Sequence, residues 1–157
     1  MQQIYAKQEV CIACRLCEVY CAASHAEGRD LVRAWRGKGA RPIPRIKVEE
    51  NRPFAAAIQC RHCEEPACVY ACVSGAMRRL ADGTVQSDPD RCVGCWTCVL
   101  ACPYGAISRS GGEKPTAVKC DLCAGLAVPA CVANCPNGAL EMVKTDKTHG
   151  LRGGVAG

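Results

Sequence analysis

Short extended segments alternate with turn residues along most of the chain, and no apolar stretch approaches the roughly 18 residues that a membrane-spanning helix needs. Three pairs of such segments flank turn residues: 43–50 with 54–59, 77–80 with 84–86, and 107–109 with 116–119. Glycine or proline in each intervening loop predicts three β-hairpins. Short helices are expected at residues 15–23, 67–74, 96–101 and 130–135. The pattern predicts a small α+β fold of hairpins and one-turn helices.

Cysteine dominates the composition: the 157 residues include 16 Cys but only two Trp, four Tyr and one Phe. Such a proportion is typical of disulfide scaffolds and metal proteins, and excludes long α/β or β-sandwich enzymes. The first ten residues, MQQIYAKQEV, lack the apolar core of a secretion signal. We therefore expect a cytoplasmic protein whose cysteines bind metal, because disulfides are rare in a reducing compartment.

The cysteines form four groups of four with none left over. The groups are Cys11, Cys14, Cys17 and Cys21; Cys60, Cys63, Cys68 and Cys72; Cys92, Cys95, Cys98 and Cys102; and Cys120, Cys123, Cys131 and Cys135. Groups one and three have the C-x2-C-x2-C-x3-C spacing of bacterial ferredoxins, and groups two and four insert residues after the second cysteine. Repeats such as Pro66-Ala67-Cys68-Val69 and Pro129-Ala130-Cys131-Val132 indicate duplicated units of one design.

This spacing predicts [4Fe–4S] clusters. Three cysteines in a tight loop can converge on one cluster, whereas the fourth lies a helical turn further on and points elsewhere. In two-cluster ferredoxins the fourth cysteine binds the other cluster. Zinc is the alternative, but its paired C-x2-C knuckles would leave thiols of groups one and three unused. Visible absorption separates the two metals, because zinc gives no colour.

The groups are expected to pair in a nested order, because crossed connections are disfavoured in folds. Groups two and three are close in sequence and pair first, and groups one and four then pair around them. Each predicted cluster takes three ligands from one group and the last from its partner. The sets are Cys11, Cys14, Cys17 with Cys135; Cys120, Cys123, Cys131 with Cys21; Cys60, Cys63, Cys68 with Cys102; and Cys92, Cys95, Cys98 with Cys72.

Two ferredoxin modules, one nested in the other, are therefore expected. The outer module comprises residues 1–23 and 116–145, the inner module residues 54–115, with a basic insertion at 24–53 and a flexible tail at 146–157. Over about residues 4–145 this arrangement resembles the iron–sulfur subunits of the dimethyl-sulfoxide-reductase type. One departure is that groups one and two are followed by Ala22 and Val73 rather than by proline.

The resemblance implies four [4Fe–4S] clusters in a row and one-electron transfer between a catalytic subunit and another redox subunit or carrier. The short chain is similar to members that accompany tungsten or molybdenum enzymes, CO dehydrogenases and hydrogenases. Its Ala, Gly and Arg content most resembles the small subunit of bacterial tungsten aldehyde oxidoreductases. Freely diffusing polyferredoxin and a non-redox zinc module are the alternatives, and copies stacked end to end would extend the row of clusters.

No catalytic residue is expected, because sixteen thiolates leave no iron with an open position. His25, His62 and His149 are isolated. His62 lies inside group two, where a hydrogen bond to a cluster sulfur would raise the reduction potential, but an exposed loop position is the interpretation we prefer. The Gly37-x-Gly39 pair is only a turn signal. The chain would therefore be a non-catalytic component.

The sequence charge is +5. Four clusters with their thiolates would add about −8 and leave about −3, which makes nucleic acid an unlikely partner. The basic residues concentrate in segment 22–59, around Trp35, and include Arg33, Arg36 and Arg41. A solvated cationic loop and a docking surface for a partner subunit are both compatible with this segment.

Overall fold

The computed structural model describes residues 2–36 and 42–144. The proposed tail at 146–157, His149, Lys38, Arg41 and the Gly37-x-Gly39 pair lie outside these residues. Within them no helix has the length and apolar character required to cross a membrane.

In the described part of the chain, eight short strands form four separate two-stranded antiparallel sheets. The strands are β1 Gln2–Ala6, β2 Ile46–Asn51, β3 Phe54–Gln59, β4 Met77–Arg79, β5 Val85–Ser87, β6 Ile107–Arg109, β7 Ala117–Lys119 and β8 Leu140–Lys144. Three sheets are the hairpins β2–β3, β4–β5 and β6–β7, at the places where the sequence predicts them. The fold is a small mixture of short strands and helices, as expected for the α+β class.

The fourth sheet joins the two ends of the described chain. Strand β1 pairs antiparallel with β8, from Gln2 opposite Lys144 to Ala6 opposite Leu140. Sequence analysis did not predict either strand. Ile4 is the only fully buried residue of β1, and the weak alternation of the segment explains why no strand was evident. This pairing brings the loop before group one next to the end of group four.

Five short α-helices and two 3-10 turns complete the fold of residues 2–36 and 42–144. The helices are α1 Leu16–Ser24, α2 Leu31–Arg36, α3 Ala67–Tyr70, α4 Thr97–Ala101 and α5 Ala130–Ala133, and the 3-10 turns are Gln8–Val10 and Glu27–Arg29. Helix α1 packs against α5, and α3 packs against α4. The four helices that follow the cysteine loops therefore form two pairs.

Several predicted boundaries are wrong. Helix α3 ends at Tyr70 rather than at residue 74, because the chain closes with a tighter bond from the Cys72 N–H to the Val69 carbonyl and then turns at Gly75, whose φ is +64°. Strand β2 begins at Ile46 rather than at residue 43, since Pro44 has no backbone donor. Helix α2, inside the basic insertion, was not predicted.

The interior is built largely from cysteine. One buried cluster combines Ile4, Ile46, Val48 and Leu140 with cysteines of groups one, two and four. A second combines Met77, Ile107 and Ala117 with cysteines of groups two and three. The apolar side chains thus form a shell around the thiols rather than an independent core.

Candidate iron–sulfur centres

All sixteen cysteines lie in the described residues, and all are free thiols. They gather at four places, each named below by its first cysteine. The Cys11 site has Cys11, Cys14, Cys17 and Cys135 around one cavity; the Cys60 site has Cys60, Cys63, Cys68 and Cys102 around a second; the Cys92 site has Cys92, Cys95, Cys98 and Cys72 around a third. The Cys120 site comprises Cys21, Cys120, Cys123 and Cys131.

The Cys120 site is the most enclosed, because all four of its cysteines are buried. Burial raises the pKa of Cys131, and the neighbouring thiol groups of Cys120, Cys21 and Cys123 raise it further, in that order. Cys21, Cys120 and Cys131 belong to one buried cluster, in which α1, which carries Cys21, packs against α5, which carries Cys131. The structure thus brings together the same four sets of cysteines as the nested pairing predicts. Ligation of a cluster by each set stays a prediction.

One backbone feature recurs in all four loops. The residue two positions after the first cysteine has a positive φ: Ala13 at 55°, His62 at 46°, Gly94 at 69° and Leu122 at 59°. This left-handed conformation folds the loop back over the first cysteine. In two loops the turned N–H donates to that sulfur, from His62 to Cys60 at 3.3 Å and from Leu122 to Cys120 at 3.4 Å. The repeat in sequence is therefore also a repeat in backbone geometry.

A second left-handed residue precedes the helix in the two loops without insertions. Arg15 has φ 58° before α1, and Trp96 has φ 62° before α4. At Gly94 the conformation also requires the absence of a side chain, since an added Cβ would approach the Pro115 carbonyl oxygen to 3.2 Å. The loops are therefore held in strained conformations that shape a pocket for four sulfurs.

Backbone donors also approach the sulfurs from outside the loops. The Ala139 N–H lies 3.2 Å from Cys135 Sγ, the Arg45 N–H 3.2 Å from Cys21 Sγ, and the Met77 N–H 3.4 Å from Cys72 Sγ. Hydrogen bonds to sulfur stabilise a thiolate and raise the reduction potential of a cluster. A set of four thiols with such donors fits a [4Fe–4S] cluster, which requires four thiolates in an apolar setting.

The thiols of Cys17, Cys68 and Cys120 would be protonated at neutral pH without a metal. Burial is the main cause, raising the pKa of Cys17 and Cys68 to about 11 and that of Cys120 to about 12. A metal or cluster binds thiolate, so its binding must displace these protons. These three thiols are therefore suited to bind a strongly cationic centre rather than to act as free nucleophiles.

His62 is a correction to the sequence analysis, which preferred an exposed loop position. The side chain is fully buried, and Nδ1 accepts a hydrogen bond of 2.9 Å from the Val85 N–H. Burial and, after it, the charge of Lys119 lower the pKa of His62 to about 4. The ring is therefore neutral, and its Nε2 has no partner in the described structure.

Three charged side chains support the Cys120 site, and sequence analysis assigned none of them a role there. Asp121 accepts from His25 Nε2 at 3.0 Å and pairs with Arg45 at 2.6 Å. His25 Nδ1 lies 2.7 Å from the Cys21 carbonyl oxygen and donates to it, so both ring nitrogens carry protons and the ring is cationic. His25, Asp121 and Cys123 are close enough to hold a metal ion, but the carboxylate is already engaged by Arg45. The arrangement instead ties α1 and the loop before β2 to the group-four loop.

Comparison with known proteins identifies the class. Residues 53–145 match the family described as the 4Fe-4S dicluster domain, and the chain belongs to that family. The chain is 39% identical to the "Electron transport protein HydN" of Escherichia coli K12, over 94% of this chain and 91% of that protein. It is 32% identical to "Formate hydrogenlyase subunit 2" of the same strain, over 89% of this chain and 80% of that protein.

A solved structure shares the fold. The active site complex BamBC of benzoyl coenzyme A reductase with 1,5-dienoyl-CoA aligns with a TM-score of 0.50 at 21% identity, over 97% of this chain and 80% of that chain. At this identity the likeness concerns the fold alone. The family match and the relative named as an electron transport protein identify the chain as an electron-transfer iron–sulfur protein rather than a catalyst.

Proposed function

We propose that the chain carries four [4Fe–4S] clusters and relays single electrons between a catalytic oxidoreductase subunit and a second redox partner. The observation that carries this proposal is the gathering of sixteen free thiols into four sets of four, with the same loop geometry in each. Each set has the number and kind of ligands that one cluster requires. The cluster would supply one-electron chemistry, and the chain's residues hold it and exclude water.

The order of the sites supports a linear relay. Helix α1 supplies Cys17 to the Cys11 site and Cys21 to the Cys120 site, so these two sites are neighbours. Cys68 and Cys72, on and just after α3, link the Cys60 and Cys92 sites in the same way. The nearby thiol of Cys60 raises the pKa of Cys120, after burial and Cys21, which supports contact between the two inner sites.

The two ends of this series are the accessible ones. Cys14 and Cys95 are the exposed cysteines among the sixteen, and they belong to the Cys11 and Cys92 sites respectively. Large apolar side chains lie exposed nearby in sequence, including Ile12 at one end and Val93 at the other. Electrons can therefore enter and leave at sites that a partner can approach, while the inner Cys120 site stays enclosed.

For the catalytic partner, we propose a tungsten or molybdenum oxidoreductase, a CO dehydrogenase or a hydrogenase. The compact chain and its resemblance to dimethyl-sulfoxide-reductase-type subunits support this range, and a tungsten aldehyde oxidoreductase is the narrower choice. The relative named formate hydrogenlyase subunit 2 is, by its name, part of an oxidoreductase complex.

Helix α2 supports a docking role for the basic insertion. It buries none of its side chains and exposes Val32 and Trp35 together with Arg33 and Arg36. An exposed helix with apolar and cationic side chains fits a partner surface with an apolar centre and acidic rim. Replacing Arg33, Arg36 and Arg41 with glutamine should weaken complex formation, make assembly less sensitive to salt and leave iron content unchanged.

The matched control removes three other cations, Arg79, Lys114 and Lys144, which are also exposed and lie outside the basic insertion. Both triple variants have the same net charge, so only the position of the lost charges differs. Equal assembly of both variants, measured by size exclusion of the native complex, would contradict the docking role.

The relay itself is tested by coulometric reduction of the anaerobic protein. Four clusters take up about four electrons per chain. Uptake of about two electrons, or zinc in place of iron, would refute the proposal, as would substrate turnover by the isolated chain with clusters as its only cofactor.

A further inference from the structure

Lys119 is a buried cation at the end of β7. The residue is only 2% exposed. Nζ donates to the Val85 carbonyl and, at 3.0 Å, to the Cys120 carbonyl. An ammonium has three donors, so one remains uncommitted in these contacts. No ion pair of the described residues includes Lys119.

A buried ammonium without an anion is strongly unfavourable, because it loses its hydration. Two carbonyl dipoles compensate only part of that loss. The missing negative charge must therefore come from a group that the side chains do not provide. Four thiolates with a [4Fe–4S]2+ core carry a net charge of about −2, and two such groups would flank Lys119.

The position of Lys119 joins two of the four sites. The residue lines the cavity of the Cys60 site and hydrogen-bonds the backbone of Cys120. Burial raises the pKa of Cys68 and Cys120, and the positive charge of Lys119 opposes that rise at both thiols. One cation is therefore close to ligands of both inner sites.

Strand β5 fixes this position from the other side. The Val85 carbonyl accepts from Lys119, and the Val85 N–H donates to His62 Nδ1 at 2.9 Å. Because His62 is fully buried, it cannot swing away without opening the core. The Lys119 ammonium is thus fixed by its hydrogen bond to the Val85 carbonyl of β5, and Val85 is itself held by the buried His62. It does not move freely as the ammonium of a surface lysine does.

We propose that Lys119 is a positioning cation shared by the two inner clusters, and that its charge raises the reduction potential of both. The proposal rests on the four-cluster function. Adding an electron makes each cluster more negative, so a nearby positive charge favours the reduced form. At an effective dielectric constant of about 20, a unit charge within roughly 12 Å changes the reduction equilibrium about tenfold or more. For a one-electron couple, tenfold is about 59 mV.

The test compares four versions of the anaerobically purified holoprotein: wild type, Lys119→Met, Lys119→Gln and Lys119→Arg. Met and Gln both remove the charge, Gln retains an N–H donor, and Arg retains the charge. Lys144→Met is the matched control, since Lys144 is an exposed lysine at the end of β8. Each protein is titrated with dithionite under EPR detection, and iron content is measured in parallel. Cys68→Ser and Cys131→Ser assign the signals of the two inner clusters.

Both neutral variants should lower the reduction equilibrium constants of the two inner clusters about tenfold. At twice the distance, about 24 Å, the same charge has half the energy, so the constants of the outer two clusters should change by about threefold or less. Lys119→Arg and Lys144→Met should resemble wild type. A fully loaded neutral variant with unchanged potentials, or with all four shifted equally, overturns the proposal. A shift of the potentials in Lys119→Met but not in Lys119→Gln also overturns the proposal, because the lost hydrogen bond would then be the cause.

Iron loss is also informative. If Lys119→Met and Lys119→Gln lose the inner clusters while Lys119→Arg binds all four, the positive charge is what distinguishes the variants, and the proposal stands. If all three fail to load, the shape of lysine is required and the proposal is wrong. Wild-type iron near eight per chain would refute the four-cluster function instead, and the Lys119 proposal would then be judged on the shift of whichever inner cluster remains.

Discussion

Asp121 accepts a hydrogen bond from His25 and pairs with Arg45. Removing its negative charge should therefore destabilise the Cys120 site, the most enclosed of the four. The Asp121→Asn variant keeps the shape of the side chain and can still accept from the Cys123 N–H, which lies 3.0 Å from Oδ1. It removes the negative charge that faces Arg45 and His25. Both cations would then remain in place without their anion.

The expected cost follows from burial. The side chains of Asp121 and Arg45 are 24% exposed and that of His25 is 14% exposed. Exposed ion pairs contribute about 0–1 kcal/mol, and breaking a fully buried pair costs about 3–5 kcal/mol. Because these side chains are only partly buried, we expect Asp121→Asn to destabilise the site by about 2 kcal/mol. If this cost appears in full in the rate at which the site opens, that rate rises about 30-fold.

The assay is the rate at which the visible absorption of the holoprotein bleaches in chelator and mild denaturant. A rate is the appropriate measure, because cluster loss is irreversible. The control is Glu49→Gln, which removes the anion of the exposed Lys47–Glu49 pair. That change should alter the rate by about twofold or less.

The effect should also depend on pH. Burial alone would lower the pKa of His25, but its hydrogen bonds with Asp121 and Cys21 outweigh burial and raise it to about 10. The stability from protonated His25 is therefore fully present below its ordinary pKa of 6.5 and is lost as the pH rises through about 10. The ratio of variant to wild-type rate should thus be largest near pH 6 and should shrink toward pH 10.

At the acid end the sign is opposite. Burial alone would raise the pKa of Asp121, but the hydrogen bond from His25 and the charge of Arg45 hold it below its ordinary value of 3.8. Its contribution is present above that value and falls as the pH drops below it. A bleaching rate of Asp121→Asn within twofold of wild type from pH 6 to 10 would refute this reasoning.

Three further outcomes are expected. Cys135→Ser should alter the EPR signal of the cluster at the Cys11 site and spare that of the Cys60 site; the reverse result would contradict the nested pairing. Ile4→Ala should speed the same bleaching of the holoprotein by about 30-fold or more, because Ile4 anchors the β1–β8 pair in the core and its truncation costs about 2–5 kcal/mol; a change below about fivefold would contradict that role. Iron chelation should abolish the circular dichroism of the fold, whereas a well-folded apo form would contradict the cysteine-centred core.

The hairpins and the four cysteine groups were accessible from sequence, because local signals define both. A turn residue between two extended segments acts within a few residues, as in the β4–β5 hairpin. Cysteine spacing likewise reports a loop and the next helical turn. Neither signal requires knowledge of distant parts of the chain.

Long-range contacts explain what the sequence analysis missed. Strand β1 is defined by its pairing with β8 and not by its own pattern. His62 was assigned to an exposed loop because its burial depends on Val85 and on the packed hairpin beyond it. The buried position of Lys119 likewise has no sequence signature, since lysine is ordinarily exposed.

Iron and sulfide analysis of anaerobically purified protein, with Mössbauer spectra, tests the central claim most directly. The account predicts about 16 iron and 16 sulfide per chain, all in [4Fe–4S] form, because each of the four sets of four thiols would hold one cluster. Iron near eight per chain, or metal present as zinc, would contradict it.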